Sequence, residues 1–229
     1  MITLALDTSG GEASVALVRD APGGREVLGS EVLGAGMRHG VELFPALERL
    51  LRRASIPPRD VGLVAVGTGP GSYTGLRVGI TAARAFAYAA GAQILGVPSC
   101  DAWAAAAPLD ARPLAVVLDA RIRAVYLAVY EAVGGSWTRR EGPELVNPAE
   151  AAARIPADAV VVGDGVAPYA EAFVGRRAAE APSRADASHV ARLALGRLAR
   201  GERDAIDAVV PLYLRKTEAE LKREGRTDA

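Results

Sequence analysis

Short apolar runs bounded by turn residues open the chain: residues 2–7, 13–19 and 26–33, separated by Ser9-Gly10-Gly11 and by Ala21-Pro22-Gly23-Gly24. Runs of that length between such turns predict three strands. The period then lengthens. Over residues 36–55, Leu43, Leu47, Leu50, Leu51 and Ala54 share one helical face, and Glu48, Arg49, Arg52 and Arg53 share the other. Pro45 inside that pattern predicts either a kink or a helix that begins only near Leu43. Pro57-Pro58 ends the helix, and a buried strand follows at 61–67. A second helix spans 74–90, with Gly91 as its C-cap. Next come a strand at 93–97 and a short alanine-rich helix at 100–107.

After residues 108–113 the pattern restarts. Val116-Val117-Leu118-Asp119-Ala120 echoes Leu4-Ala5-Leu6-Asp7-Thr8, and each is followed by a second apolar run, 125–129 beside 14–18. A helix at 148–154, a strand at 159–162 and a long amphipathic helix at 188–200 continue the second copy. This is a degenerate duplication of a β-β-β-α-β-α unit. Two such units predict an α/β fold of two ribonuclease-H-like lobes, residues 1–108 and 109–229, each a mixed sheet flanked by helices. The double lobe is that of the actin-like ATPase or actin–hexokinase superfamily. The tail, 214–229, mixes both charges and is expected to be a solvated end.

The helix at 74–90 carries the clearest functional pattern. Gly75, Gly79, Ala83, Ala87 and Gly91 recur every four residues and form a smooth ridge on which another helix could pack closely. Leu76, Val78, Ile80, Phe86 and Tyr88 leave little polar surface around it. A helix apolar nearly all round is buried on more than one side. Its own sheet covers one side; the other is covered by the preceding helix, by a partner, or by both.

Charge narrows the partner class. Lys and Arg balance Asp and Glu at 27 each, so no basic field draws the chain onto nucleic acid, and any contact with RNA is expected through a partner. Cys100 is the one cysteine, which excludes an internal disulfide and suits a reducing compartment. The chain opens directly on a strand, with no signal-peptide pattern, and no apolar run is long enough to span a bilayer. A cytoplasmic location is expected.

Residues 67–79 read Gly-Thr-Gly-Pro-Gly-Ser-Tyr-Thr-Gly-Leu-Arg-Val-Gly. No Gly-Lys-Ser/Thr follows, and a third glycine is missing where GxGxxG needs one, so the run is neither a Walker loop nor a dinucleotide fingerprint. It closely resembles the GxGPGS(F/Y)TGLR(V/I)G signature of the bacterial TsaB family, a glycoprotease-like family of the same superfamily. Asp7-Thr8, the helix led by His39, Val97-Pro98-Ser99 and Pro211-Leu212-Tyr213-Leu214-Arg215 extend the likeness along the chain. The resemblance implies a non-catalytic subunit in tRNA threonylcarbamoyladenosine synthesis. It would bind and order a TsaD-type catalytic subunit, work with a TsaE-type ATPase, and form homodimers through the same helical face. His39, Leu43, Leu47, Gly75, Leu76, Gly79, Ala83 and Ala87 are the expected interface.

Chemistry beyond docking is sparse. Asp7-Thr8-Ser9 lies where actin-like ATPases carry a phosphate loop, and Gly163-Asp164-Gly165 stands as a remnant of a nucleotide-side turn. The second loop, after Asp119, reads Ala120-Arg121-Ile122-Arg123 and would obstruct a phosphate. The favoured reading makes Asp7 and Asp119 strand-end caps. It leaves room for weak ATP or ADP binding and no required cofactor. Ser99 and Trp103 stand where the catalytic sister family carries an HxxxH pair, so no metal is expected, nor the peptidase activity once inferred for the superfamily. The competing function is a stand-alone actin-like small-molecule kinase or ATPase.

Overall fold

The computed structural model describes residues 1–34, 39–178 and 185–215. The first sheet holds β1 (Ile2–Asp7), β2 (Ala13–Ala21), β3 (Gly24–Leu33), β4 (Val61–Gly69) and β5 (Gln93–Pro98), in the order β3-β2-β1-β4-β5. The second holds β6 (Leu114–Asp119), β7 (Val125–Val133), β8 (Ser136–Val146), β9 (Val160–Val162) and β10 (Arg177–Ala178), in the matching order β8-β7-β6-β9-β10. In both, two antiparallel hairpin pairings are followed by two parallel ones. The duplication read in the sequence is therefore a duplication of topology.

Helices α1 (His39–Arg53), α2 (Tyr73–Ala90), α3 (Ser99–Ala106), α4 (Pro148–Arg154) and α5 (Ala187–Ala199) cover these sheets. Side chains alternate across a strand, which divides each core in two. Leu4, Leu6, Val15, Leu17, Val64 and Val66 pack with α1 and α2. The alternate set, Ala5, Ala16, Val18, Leu63, Ala65 and Leu95, packs with α5. In the second sheet Val116, Leu118, Tyr126 and Tyr130 face Cys100 and Ala104 of α3. Ala115, Val117 and Leu127 face Ala151 of α4 and Phe173. The layers run α1/α2, first sheet, α5 and α3, second sheet, α4.

Two sequence expectations change. The long helix assigned to the second lobe, α5, lies on the first sheet, where Ala187 N–H donates to Ser14 Oγ at 2.9 Å. Ala187, Ala191 and Ala194 meet Ala5, Ala16 and Ala65, and short side chains on both surfaces allow the close approach. Val209 continues in the first-lobe core. The division at residue 108 thus separates the sheets, while the chain after 186 returns to the first lobe. Second, α1 runs unbroken from His39 through Pro45. Pro45 sits on the exposed side, where water can satisfy the carbonyl that its missing N–H leaves free. Leu214 packs on the second-lobe core; the charged tail from residue 216 lies outside the described residues.

Candidate functional site

The glycine-rich signature and the Asp-Thr-Ser strand end turn out to be one construction. Thr8 is fully buried, and its hydroxyl donates to Gly75 O at 2.7 Å. A Cβ on Gly75 would fall 2.1 Å from Thr8 O, and one on Gly79 would fall 2.2 Å from Thr8 Oγ1. The two glycines form a notch in α2 that seats the end of β1, a close approach no Cβ permits. Ser72 caps the helix, its Oγ accepting from Gly75 N–H at 3.2 Å. Asp7 is buried behind this contact, and its Oδ1 accepts from Ser9 N–H at 2.9 Å. Burial raises its pKa above the usual carboxylate range, with the Ser9 hydrogen bonds opposing part of that shift.

At the corresponding place in the second lobe, Asp119 caps its own turn, Oδ1 accepting from Arg121 N–H at 2.8 Å. Asp164 Oδ1 accepts from Asp119 N–H at 2.9 Å, and burial raises the Asp164 pKa. Gly163-Asp164-Gly165 is thereby a packing element against β6: a Cβ on Gly163 would meet Val117 O at 1.9 Å. Arg121, Ile122 and Arg123 all take left-handed conformations, with φ of 62°, 47° and 56°. A Cβ on Gly11 would sit 3.5 Å from Arg121 Nη2, so this guanidinium reaches the Ser9-Gly10-Gly11 turn. Between the two turns lies a cleft of about 320 Å3, bordered by Ser72, Thr74, Asp119, Arg121, Asp164 and Arg215.

The C-terminal segment borders the same cleft. Leu212 N–H donates to Thr68 O at 2.8 Å. Tyr213 stacks on Tyr73 with ring centroids 4.8 Å apart. Arg77 lies 4.3 Å over the Tyr73 ring and donates from Nε to Tyr213 Oη at 3.1 Å. Sequence reasoning missed this cluster and Asp164's contact with Asp119, because both join residues far apart along the chain and leave no periodic trace.

The expected interface residues are placed differently from one another. Leu43, Leu47, Gly75, Leu76, Gly79, Ala83 and Ala87 are all buried inside the chain. The ridge faces the first lobe's own strands, which corrects the expectation that it forms the partner surface itself. His39 begins α1, and its side chain lies outside the described residues. The outward side of the same two helices nonetheless carries large exposed apolar side chains among its charged ones: Val41 is 76% exposed, Phe44 53% and Tyr88 81%.

The remaining candidates have structural partners. Ser99, at an HxxxH position, is buried and accepts from Gly69 N–H at 3.1 Å; Trp103, at the other, lies beside the strand end. Cys100 is buried, and that burial raises its thiol pKa, which disfavours the thiolate. His189 Nδ1 lies 3.0 Å from Asp186 Oδ1 in the capping box of α5. Among the described residues no group of three or more His, Cys, Asp or Glu side chains is arranged to hold a metal ion.

Topology and cleft together define a two-lobed α/β protein built on a duplicated five-stranded mixed sheet, whose strand ends are packed by side chains and backbone. A family described as "TsaD: tRNA N6-adenosine threonylcarbamoyltransferase" matches residues 34–223. The Escherichia coli "tRNA threonylcarbamoyladenosine biosynthesis protein TsaB" is 28% identical over 99% of this chain and all of its own length. The Haemophilus influenzae protein of the same name is 30% identical over 73% of this chain and 74% of its own. The Bacillus subtilis one is 32% identical over 59% of this chain, and that match spans only 57% of the relative. A Pseudomonas aeruginosa crystal structure described as an uncharacterized protein with similarity to peptidase YEAZ superposes with a TM-score of 0.81 at 30% identity, covering 93% of this chain and 99% of that one. The chain belongs to the TsaB family.

Proposed function

We propose that this protein is the non-catalytic partner of a TsaD-type subunit in tRNA threonylcarbamoyladenosine biosynthesis, binding and ordering that subunit through the outward face of α1 and α2. The observation that carries the reading is the exposure of Val41, Phe44 and Tyr88 on two neighbouring helices of one layer. Large apolar side chains left exposed on two neighbouring helices mark an interaction surface. The buried ridge of Gly75, Gly79, Ala83 and Ala87 contributes indirectly, by holding α2 rigidly against β1. The same face serves homodimerisation, so the two assemblies compete. A TsaE-type ATPase joins the complex, tRNA is contacted through the partners, and the work is done in the cytoplasm. No helix of the described residues is long and apolar enough to cross a membrane.

No cofactor is required in this role. Asp7 is engaged by Ser9, and Arg121 takes up space beside the first turn, which supports the accessory reading over a kinase or ATPase. Light scattering on a sizing column, with this protein alone and with its cognate TsaD, tests the proposal. A heteromeric peak should grow as a homodimer peak shrinks. A Val41→Arg/Tyr88→Asp double variant should stay folded and lose at least tenfold in affinity, because buried apolar anchors dominate such interfaces. Absence of any complex with folded TsaD would overturn the reading, and micromolar Mg·ATP binding with turnover would revive the kinase.

A further inference from the structure

A second cavity, of about 580 Å3, lies on the other side of the first sheet from α1 and α2, where α3 and α5 meet the β7–β8 hairpin. Its volume falls in the range of small-molecule sites. Ala104, Ala105, Leu109 and Leu193 supply apolar wall, and Trp137 supplies an aromatic one. That wall is fixed: Trp137 Nε1–H donates to Ala107 O at 3.3 Å, and Tyr130 beneath it is buried.

Three guanidinium groups border the same space, Arg25, Arg139 and Arg192. They differ in how they are held. Arg25 donates to Asp20 Oδ1 at 3.2 Å and to Arg192 O at 3.1 Å. Arg139 is 3.6 Å from Asp101 Oδ1, an ion pair too long for a hydrogen bond. The Arg192 guanidinium has no hydrogen bond or ion pair to any described residue. The one carboxylate among the described residues lining the cavity, Asp101, already accepts from Tyr130 Oη at 2.7 Å. Cationic donor capacity therefore exceeds what the described residues satisfy, and it sits beside flat apolar surface.

We propose that this cavity binds a small aromatic anion, a flat ring bearing a carboxylate or phosphate, with the ring against Trp137 and Leu109 and the charge on Arg192 and Arg139. Guanidinium is suited to either oxyanion, since its planar fork can meet two oxygens at once. Arg25 and Arg192 come from β3 and α5 on the first sheet, Trp137 and Arg139 from β8 of the second. The ligand thus spans both lobes, and binding raises the unfolding temperature of the whole chain.

The test uses full-length protein with 15N-labelled tryptophan. The chain has two tryptophans, so Trp103→Phe identifies the Trp137 indole N–H resonance. Phenyl phosphate and 2-naphthoate are titrated separately, with inorganic phosphate as control; whichever aromatic anion binds more tightly identifies the oxyanion. The expected result is a saturable shift of the Trp137 resonance with a matching rise in melting temperature. Arg192→Gln, at an exposed side chain with no partner among the described residues, should weaken binding about tenfold, the scale of one hydrogen bond to a charged group. Leu109→Asp should weaken it by placing a negative charge on the wall without touching an arginine. The proposal is overturned if neither aromatic anion moves the resonance, or if both variants bind like the parent. An equal response to inorganic phosphate alone would also overturn it, since the ring would then do nothing.

Discussion

The two lobes end their first strands on the same residue type and treat it in opposite ways. In the first, β1 runs into Asp7-Thr8-Ser9, and α2 opens a glycine notch to receive it. In the second, β6 runs into Asp119, and the chain turns through three left-handed non-glycine residues, Arg121 to Arg123. Where one lobe removes side chains to bring backbone close, the other keeps bulky ones and bears the conformational cost. The reason lies in what covers each turn. Over the first strand end stands an 18-residue helix with a Ser72 cap, whereas the second turn leaves the side chains of Arg121, Ile122 and Arg123 exposed. Shared topology set where the two aspartates fall, and local covering set what each can do.

That contrast can be broken most sharply at Gly75. Glycine to alanine inside a helix ordinarily stabilises by about 1 kcal/mol. Here the new methyl would meet Thr8 O, so Gly75→Ala should instead destabilise by about 3 kcal/mol or more, as overpacking against backbone does. Urea unfolding checks the sign, and a stabilised variant would dissolve the notch. Arg121→Gly probes the opposite lobe. Glycine accepts φ near 62° without a Cβ penalty, so the substitution should stabilise by about 1 kcal/mol. A loss of stability in the same urea experiment would mean that the guanidinium beside Gly11 ties the lobes more strongly than its conformation costs.

Asp7 gives the smallest and most specific effect. Its folded-state pKa is raised by burial, so the folded protein holds the proton over a window where the unfolded chain has lost it. Stability from this group is therefore greatest below the ordinary carboxylate pKa and is lost as pH rises through the elevated one. Asp7→Asn keeps the acceptor for Ser9 N–H and should flatten the pH dependence of the melting temperature in that window. An unchanged slope would place the titration elsewhere. Asp186 supplies the opposite sign. His189 and Ser188 hold its pKa below the usual range, so its contribution is present above the unfolded pKa and fades as pH falls towards the folded one.

Much of this arrangement was legible beforehand. Apolar periodicity located the strands and helices, and the repeat of apolar runs ending in Asp7 and Asp119 announced two lobes. The thirteen-residue glycine signature marked α2 as special, and its likeness to TsaB sequences named the family. The ridge along Gly75, Gly79, Ala83 and Ala87 was found correctly and faced the wrong way, because equal spacing reports which residues share a side and not what lies opposite. The side that stays outside is carried by Val41, Phe44 and Tyr88, which in sequence look like ordinary core residues.

The sequence by itself determined the local elements, their order, the duplicated unit and the family, since each rests on neighbours within a few residues or on a contiguous motif. Only the tertiary structure decided that α5 crosses back onto the first sheet, that Thr8 fills the glycine notch, that Tyr213 stacks on Tyr73, and that Arg121 reaches Gly11. Those contacts join residues that the chain keeps far apart. Packing chooses among the surfaces that periodicity offers, and it does so by shape and by the closeness of approach that small side chains allow.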